Sequence, residues 1–186
     1  MREPIILDNE LESSYLEQIC NIDKVAFQLE PTKHFLTIAK KTPWLYHVLR
    51  QGNNVLGYTS VLPLRKTAFN AMKTGEIWEN ELQFSDIDEI NPEGFYLLSV
   101  AASSKVISSQ QYCITGRLCG VAGGQLGRSS KPVIAVPITE KGQSVAEMLN
   151  MKPIQSNLDI KGVNNYTPKV WFKPPYLKKT PLNVGN

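Results

Sequence analysis

The run Leu97-Leu98-Ser99-Val100-Ala101-Ala102, followed at once by Ser103-Ser104-Lys105 and a helical pattern over about residues 109–123, constrains this chain more than any other segment. A nearly unbroken apolar run of that length reads as a strand buried on both faces, because a half-exposed strand alternates polar with apolar positions. Such a strand, spanning residues 95–102, belongs in the middle of a sheet. The sheet then needs helices on both faces to cover it.

The flanking pattern supplies them. Pro4-Ile5-Ile6-Leu7 reads as a first strand, and Asn9 with Glu12 has the spacing of a capping box. Leu11, Tyr15, Ile19, Ile22 and Ala26 then recur at steps of three and four, the stripe of an amphipathic helix. A second helix starts at Pro31, buries Phe35, Ile38 and Ala39, and stops at Thr42-Pro43. Strands over 44–51 and 55–62 form a hairpin through Gly52-Asn53-Asn54. A short helix over 66–73 ends at Gly75, and an acidic stretch over 76–93 reads as an excursion outside the core. In the helix after the central strand, Ile114, Leu118, Val121 and Ala122 form the buried stripe. Gly116 and Gly120, one turn apart, are placed to let another backbone approach. A strand over 132–138, a helix capped by Thr139 that carries Val145, Met148 and Leu149, and strands over 155–160 and 169–173 complete the order. The last two are joined by a turn at 162–165. The class is α+β, a mixed central sheet of about six or seven strands with helices on both faces. Residues 1–173 form one domain, and 174–186, with three prolines counting those at 174, 175 and 181, form a tail.

Composition narrows the function classes. The chain has 186 residues, and 20 Lys+Arg against 17 Asp+Glu leave a net charge of +3, too small to argue for nucleic acid. No apolar run approaches the roughly 20 residues that span a bilayer, and the first residues lack the apolar core of a signal peptide. Cys20, Cys113 and Cys119 are odd in number and unpaired in spacing, which fits a reducing, cytoplasmic setting. With only His34 and His47 and no spaced thiols or carboxylates, no metal pattern is present. The helical cysteines read as small core hydrophobes rather than nucleophiles.

One local feature bears on chemistry. A buried strand that feeds a polar loop and then a helix points several free backbone N–H groups one way, and the helix dipole adds positive potential there. Lys105 with Ser103, Ser104, Ser108 and Ser109 would make the place attractive to a phosphate.

The order of elements, the hairpin ending Val55-Leu56-Gly57-Tyr58, the strand Tyr96-Leu97-Leu98-Ser99-Val100, the loop and helix behind it, and the stretch Ala146-Glu147-Met148-Leu149-Asn150-Met151-Lys152-Pro153-Ile154 resemble the GNAT superfamily of acetyl-CoA-dependent N-acyltransferases. The resemblance spans residues 5–172. It implies a GNAT-like sheet whose central strand splays from its neighbour and pairs with the pantetheine arm of acetyl-CoA, the co-substrate. Leu98, Ser99 and Val100 would contact that arm, and Lys105, Val106, Ile107, Ser108, Ser109 and Gln110 would fill the pyrophosphate loop. Gln110 stands where the family has a glycine or alanine. Thr139, Gly142 and Ala146 occupy the fourth-helix positions where the family often has asparagine, alanine and a proton-donating tyrosine. Tyr112 and Tyr166 are phenols elsewhere in the chain.

The resemblance implies an acetyltransferase that moves an acetyl group to a primary amine by direct attack. The amine must be neutral when it attacks, and a carboxylate commonly takes its proton. Glu79, then Glu76 and Glu81, lie where such a fold opens toward its acceptor, a small molecule or peptide. No metal, nucleic acid or membrane enters this reading, and a homodimer through the C-terminal strands is compatible with it. The alternatives are a non-catalytic GNAT-like module that senses acyl-CoA or binds a protein, and an unrelated α+β interaction protein.

Overall fold

A computed structural model describes residues 3–28, 32–127, 129–160, 162 and 166–176. Seven strands form one mixed sheet in the order β1-β2-β3-β4-β5-β7-β6. They are β1 (Ile5–Asp8), β2 (Tyr46–Gln51), β3 (Asn54–Leu64), β4 (Gly94–Ala102), β5 (Val133–Ala135), β6 (Lys152–Pro153) and β7 (Trp171–Lys173). The helices are α1 (Leu16–Phe27), α2 (Lys33–Lys41), α3 (Lys66–Thr74), α4 (Ser108–Leu126) and α5 (Glu140–Met148). Every adjacent pair is antiparallel except β4 and β5, which run parallel.

The two faces are covered by different helices. On one, α1, α2 and α3 pack Ile19, Ile22, Ile38, Phe69 and Met72 against Tyr46, Tyr58, Leu62 and Tyr96 of the sheet. On the other, α4 and α5 pack Ile114, Leu118, Ala122 and Val145 against Leu49, Leu97, Val133 and Ala135. The stripe Leu11, Tyr15, Ile19 and Ile22 is buried as its spacing predicts. Thr32 and Thr139 cap α2 and α5, their hydroxyl oxygens accepting the amides of Phe35 and Gly142 at 3.1 and 3.0 Å.

Several local expectations are corrected. The Asn9–Glu12 capping box does not form: Asn9 reaches His47 at 3.1 Å instead, and the chain enters α1 through a 3-10 turn at Ser13–Tyr15. Gly116 and Gly120 face open space, with nothing within 4 Å of where a Cβ would stand, so they admit no other backbone. The turn of α4 toward the sheet is set by Ile114, Leu118, Ala122 and Leu126, with Val121 only half-buried. Met148 is exposed rather than buried. Residues 155–160 form no strand; Lys152–Pro153 is the segment that pairs with β7. The strand over 132–138 is shorter, and residues 136–138 leave the sheet. The acidic stretch is not an excursion. Its 3-10 turns at Glu79–Glu81 and Phe84–Asp86 are pinned by Leu82 and Ile87, both buried in the core. Burial of each contributes about 2 kcal/mol. Pro31, the turn residues 163–165 and the tail from 177 lie outside the described residues.

Candidate functional site: a wedge in the sheet and a buried carboxyl cavity

β4 and β5 share only three residue pairs, Phe95 with Val133, Tyr96 with Ile134 and Leu97 with Ala135. Beyond Leu97 the two chains part, and β4 continues alone on that side to Ala102. The cause lies on the opposite edge of β4. Its register against β3 pairs Ser60 with Ser99 but Val61 with Leu97, so Leu98 is an extra residue, a β-bulge. A bulge bends its strand and sharpens the twist, here at the residue where β5 is lost. It also breaks the alternation of side chains, and Leu98 and Ser99 line the same cavity.

The wedge is a cleft of about 70 Å3, walled by Leu97 to Val100 of β4, by residues 135–138 after β5, and by Thr139, Gly142, Val145 and Ala146 of α5. Beyond it, β4 ends in the loop that leads to α4. The loop is held from several sides. Gln111 donates its side-chain amide to the carbonyls of Ser103 and Val106 at 3.3 and 3.0 Å, and Val106 is buried among Leu49, Ile114 and Leu118. Lys105, Ile107, Ser108, Ser109 and Gln110 are exposed around the helix start. The amides of Gln110 and Gln111 both bond Ile107 O, at 2.9 and 3.0 Å, which leaves Ser108 and Ser109 at the open first turn of a 19-residue helix.

A second cavity, of about 140 Å3, lies on the α1–α2 face. Phe27, Glu79, Leu98 and Ser99 line both cavities, so the two meet at those residues. Glu79 is half-buried on its 3-10 turn and accepts a hydrogen bond from Tyr96 Oη at 2.6 Å. Burial pushes its carboxyl up to about 7, against the phenol, which favours the ionised form. Glu76 and Glu81 are exposed and line neither cavity. Glu81 has another occupation: its Oε2 accepts the amide of Trp78 at 3.1 Å and closes the turn that carries Glu79.

Asp23, which the sequence reading passed over, is buried in the same cavity wall. Its Oδ1 accepts from Tyr58 Oη at 2.5 Å. Burial pushes its carboxyl up to about 7, Tyr58 opposes that shift, and the nearby Glu79 adds to it. The signal was present: Asp23 follows Ile19 by four residues, so it falls on the buried stripe of α1, where an acid has no packing role. Tyr46 Oη and Ser99 Oγ are both fully desolvated, with the Ser60 hydroxyl beside Tyr46 and the Tyr58 phenol beside Ser99, and both residues line this cavity.

The other candidates lie elsewhere. Cys113 is exposed, Cys119 is in the core, and burial pushes the thiols of Cys20 and Cys119 up, the opposite of an activated nucleophile. His34 is exposed; His47 is clasped between Asn9 and Gln125. Tyr112 is 81% exposed on α4, and Tyr166 donates to Gln143 Oε1 on α5 at 3.2 Å, outside the wedge. Among the described residues no group of His, Cys, Asp and Glu could hold a metal ion, and no helix is long and apolar enough to cross a membrane.

No family model matches the sequence, and no curated protein matches it either. Solved structures do match. The loading GNATL domain of CurA from Lyngbya majuscula aligns with a TM-score of 0.62 at 13% identity, covering 93% of this chain and 98% of that one. A histone acetyltransferase HPA2 and related acetyltransferase from Corynebacterium glutamicum aligns at 0.55 and 14%, covering 97% and 100%. Naa50 of Arabidopsis thaliana, solved with a bisubstrate analogue of CoA and a peptide, aligns at 0.52 and 10%, covering 91% and 97%. The bulged β4, its parting from β5 and these near full-length alignments lead to one conclusion: the chain has the α+β fold of the GCN5-related N-acetyltransferases.

Proposed function

We propose that the protein transfers an acetyl group from acetyl-CoA to a primary amine by direct attack, with no acyl-enzyme. The observation that supports this is that Glu79, Leu98 and Ser99 border both the wedge and the carboxyl cavity. A thioester laid in the wedge and an amine held in the cavity would meet at those three residues.

The residues present fit the co-substrate. Past Leu97, β4 lacks a neighbouring strand, so backbone groups of Leu98, Ser99 and Val100 on that side can pair with the amides of a pantetheine arm. Apolar walls from Leu97, Val136 and Val145 suit its thin body. Lys105, Ile107, Ser108, Ser109 and Gln110 surround the start of α4, where a diphosphate gains both amides and dipole. Val106 contributes by anchoring the loop, its side chain being core.

Acetyl-CoA supplies the activated acyl group when bound. The chain's own part is proton handling and placement. Glu79 as carboxylate takes the proton of the attacking amine; the C–N bond forms as the C–S bond breaks, and sulfur leaves as thiolate, protonated by water. A base near pKa 7 serves well at neutral pH. Ser99 lines both cavities, and its hydroxyl would serve as a donor for the thioester oxygen on turning from Tyr58 toward the wedge.

One observation favours a second reading, a module that binds acyl-CoA without turnover: among the described residues no tyrosine lines the wedge. Two measurements separate them. Isothermal titration is expected to show acetyl-CoA binding that weakens at least tenfold in Lys105→Glu. Steady thiol release with an amine panel supports the enzyme, and binding without release supports the module. Absence of binding up to millimolar acetyl-CoA overturns both.

A further inference from the structure

We infer that the acceptor is a small primary monoamine with a single aromatic ring or a branched apolar body, its ammonium held by Asp23 before Glu79 removes the proton. This rests on the acyl-transfer reading and adds the identity of the acceptor class to it.

Size is the first ground. A cavity of about 140 Å3 is close to the roughly 150 Å3 that accommodates a benzene ring in an apolar protein interior. One ring or a branched chain of similar bulk fills it. A peptide could place only one of its side chains there and would leave the rest outside.

The walls are the second. Phe27, Phe35, Ile38, Leu62, Trp78 and Leu82 surround the space. Phe35 meets Tyr46 edge-on with centroids 6.3 Å apart, and Tyr46 stacks on Tyr58 at 6.3 Å, so the aromatic surround is rigid. An apolar body gains about 25 cal/mol for each Å2 it removes from water there. A second ammonium, as in a polyamine, would be desolvated against these walls.

The polar groups are the third, and they are few and convergent. Asp23 and Glu79 are the carboxyls of the cavity, each held by one phenol, Tyr58 and Tyr96. Two carboxyls divide the work that a cationic acceptor sets. One must stay ionised to bind the ammonium, and the other must accept a proton from it. Asp23 lines the cavity but not the wedge, whereas Glu79 lines both. Glu79 is therefore on the reacting side and Asp23 on the binding side. Tyr46 and Ser99 bracket the same space, and an ammonium or amine has up to three N–H groups to share among the oxygens of the cavity wall.

The test uses the full chain, acetyl-CoA and four acceptors: benzylamine, isoamylamine, spermidine and a short peptide with a free N-terminus. Thiol release is expected with benzylamine and isoamylamine, at kcat/KM at least tenfold above spermidine and the peptide. Asp23→Asn is expected to raise the KM for benzylamine at least tenfold while acetyl-CoA affinity stays within about twofold. Ile38→Phe, which fills the cavity from a wall residue, should exclude benzylamine and retain methylamine, and it covers the case in which Asp23→Asn does not fold. A preference for spermidine or the peptide, or an unchanged benzylamine KM in Asp23→Asn, overturns the acceptor assignment and leaves acyl transfer intact. If acetyl-CoA binds but nothing turns over, titration of benzylamine decides: binding that depends on Asp23 supports the site, and no binding overturns it. Failure of acetyl-CoA itself to bind overturns the parent reading instead.

Discussion

Tyr96 Oη lies 2.6 Å from Glu79 Oε2, a bond that joins the central strand to the acidic stretch seventeen positions earlier in the chain. It sets the charge state of the carboxyl that lines both cavities. The phenol stabilises the carboxylate, and burial opposes it with the larger effect, so the group rests near neutrality at about 7. Only the ionised form accepts a proton, and Asp23, also raised to about 7, must be ionised to hold the ammonium. The value of kcat/KM is therefore expected to rise with pH through about 7 more steeply than one group would give and to level above it. Glu79→Gln should lower kcat by about 10²–10⁴ and leave acetyl-CoA affinity in place. Tyr96→Phe removes a donor to the carboxylate, so the rising limb should move to higher pH. A limb that stays put in Tyr96→Phe would assign it to another group.

Asp23 makes a prediction about stability. Its carboxyl is raised from an ordinary value near 3.8 to about 7 in the folded protein. Between those values the folded state binds more protons than the unfolded one, so stability falls as pH rises through that window. Below the lower value the contribution is fully present; above the upper one it is gone. Each pH unit in the window removes about 1 kcal/mol. Asp23→Asn keeps an acceptor for Tyr58 and cannot ionise, so its denaturant midpoint should vary less between pH 5 and pH 8 than the parent's.

Ser99→Ala separates catalysis from folding. The Ser99 hydroxyl is buried beside the Tyr58 phenol. Removing it should lower stability by only about 1 kcal/mol. If the hydroxyl serves the thioester oxygen, kcat/KM should drop by about tenfold to a hundredfold. A variant equally active and equally stable would show the hydroxyl to be idle.

Gly57 tests the β3–α4 packing behind the wedge. A Cβ there would stand 2.5 Å from Ala101 O and 3.0 Å from Ile114 and Leu118. Backbone cannot yield as a side-chain tip does, so Gly57→Ala should destabilise by about 1–3 kcal/mol in chemical denaturation.

The helices and strands were legible where periodicity was strong. Ile19 and Ile22 on α1 and Ile114 and Leu118 on α4 are buried where their spacing puts them. The strand β4 is covered less completely than its apolar run implies, with Tyr96, Leu97 and Ala101 buried but Phe95, Leu98, Val100 and Ala102 half-buried. Pairing was less so. That Lys152–Pro153 rather than residues 155–160 lies beside β7 is decided by cross-strand hydrogen bonds, which leave no mark in a single strand's pattern. The bulge at Leu98 is hidden for the same reason. Gly116 and Gly120 misled because a small residue fits a crowded face and an open one equally well. In the site, the acidic stretch was visible as charge, but its anchoring by Leu82 and Ile87 was masked by the carboxylates between them. Asp23 was one letter in a helical stripe, and only its phenol partner, 35 positions away on β3, reveals why an acid is there.

The sheet is divided by its own parallel seam. Four strands lie on one side and three on the other, and three residue pairs are all the ladder that joins them. A joint so short leaves a notch above it, while side-chain packing crosses the seam on both faces, Tyr96 with Ile134 and Val136 on one and Leu97 with Val133 and Ala135 on the other. The notch is thus held open by the packing on either side of it, and the free edge of β4 is set by the fold itself.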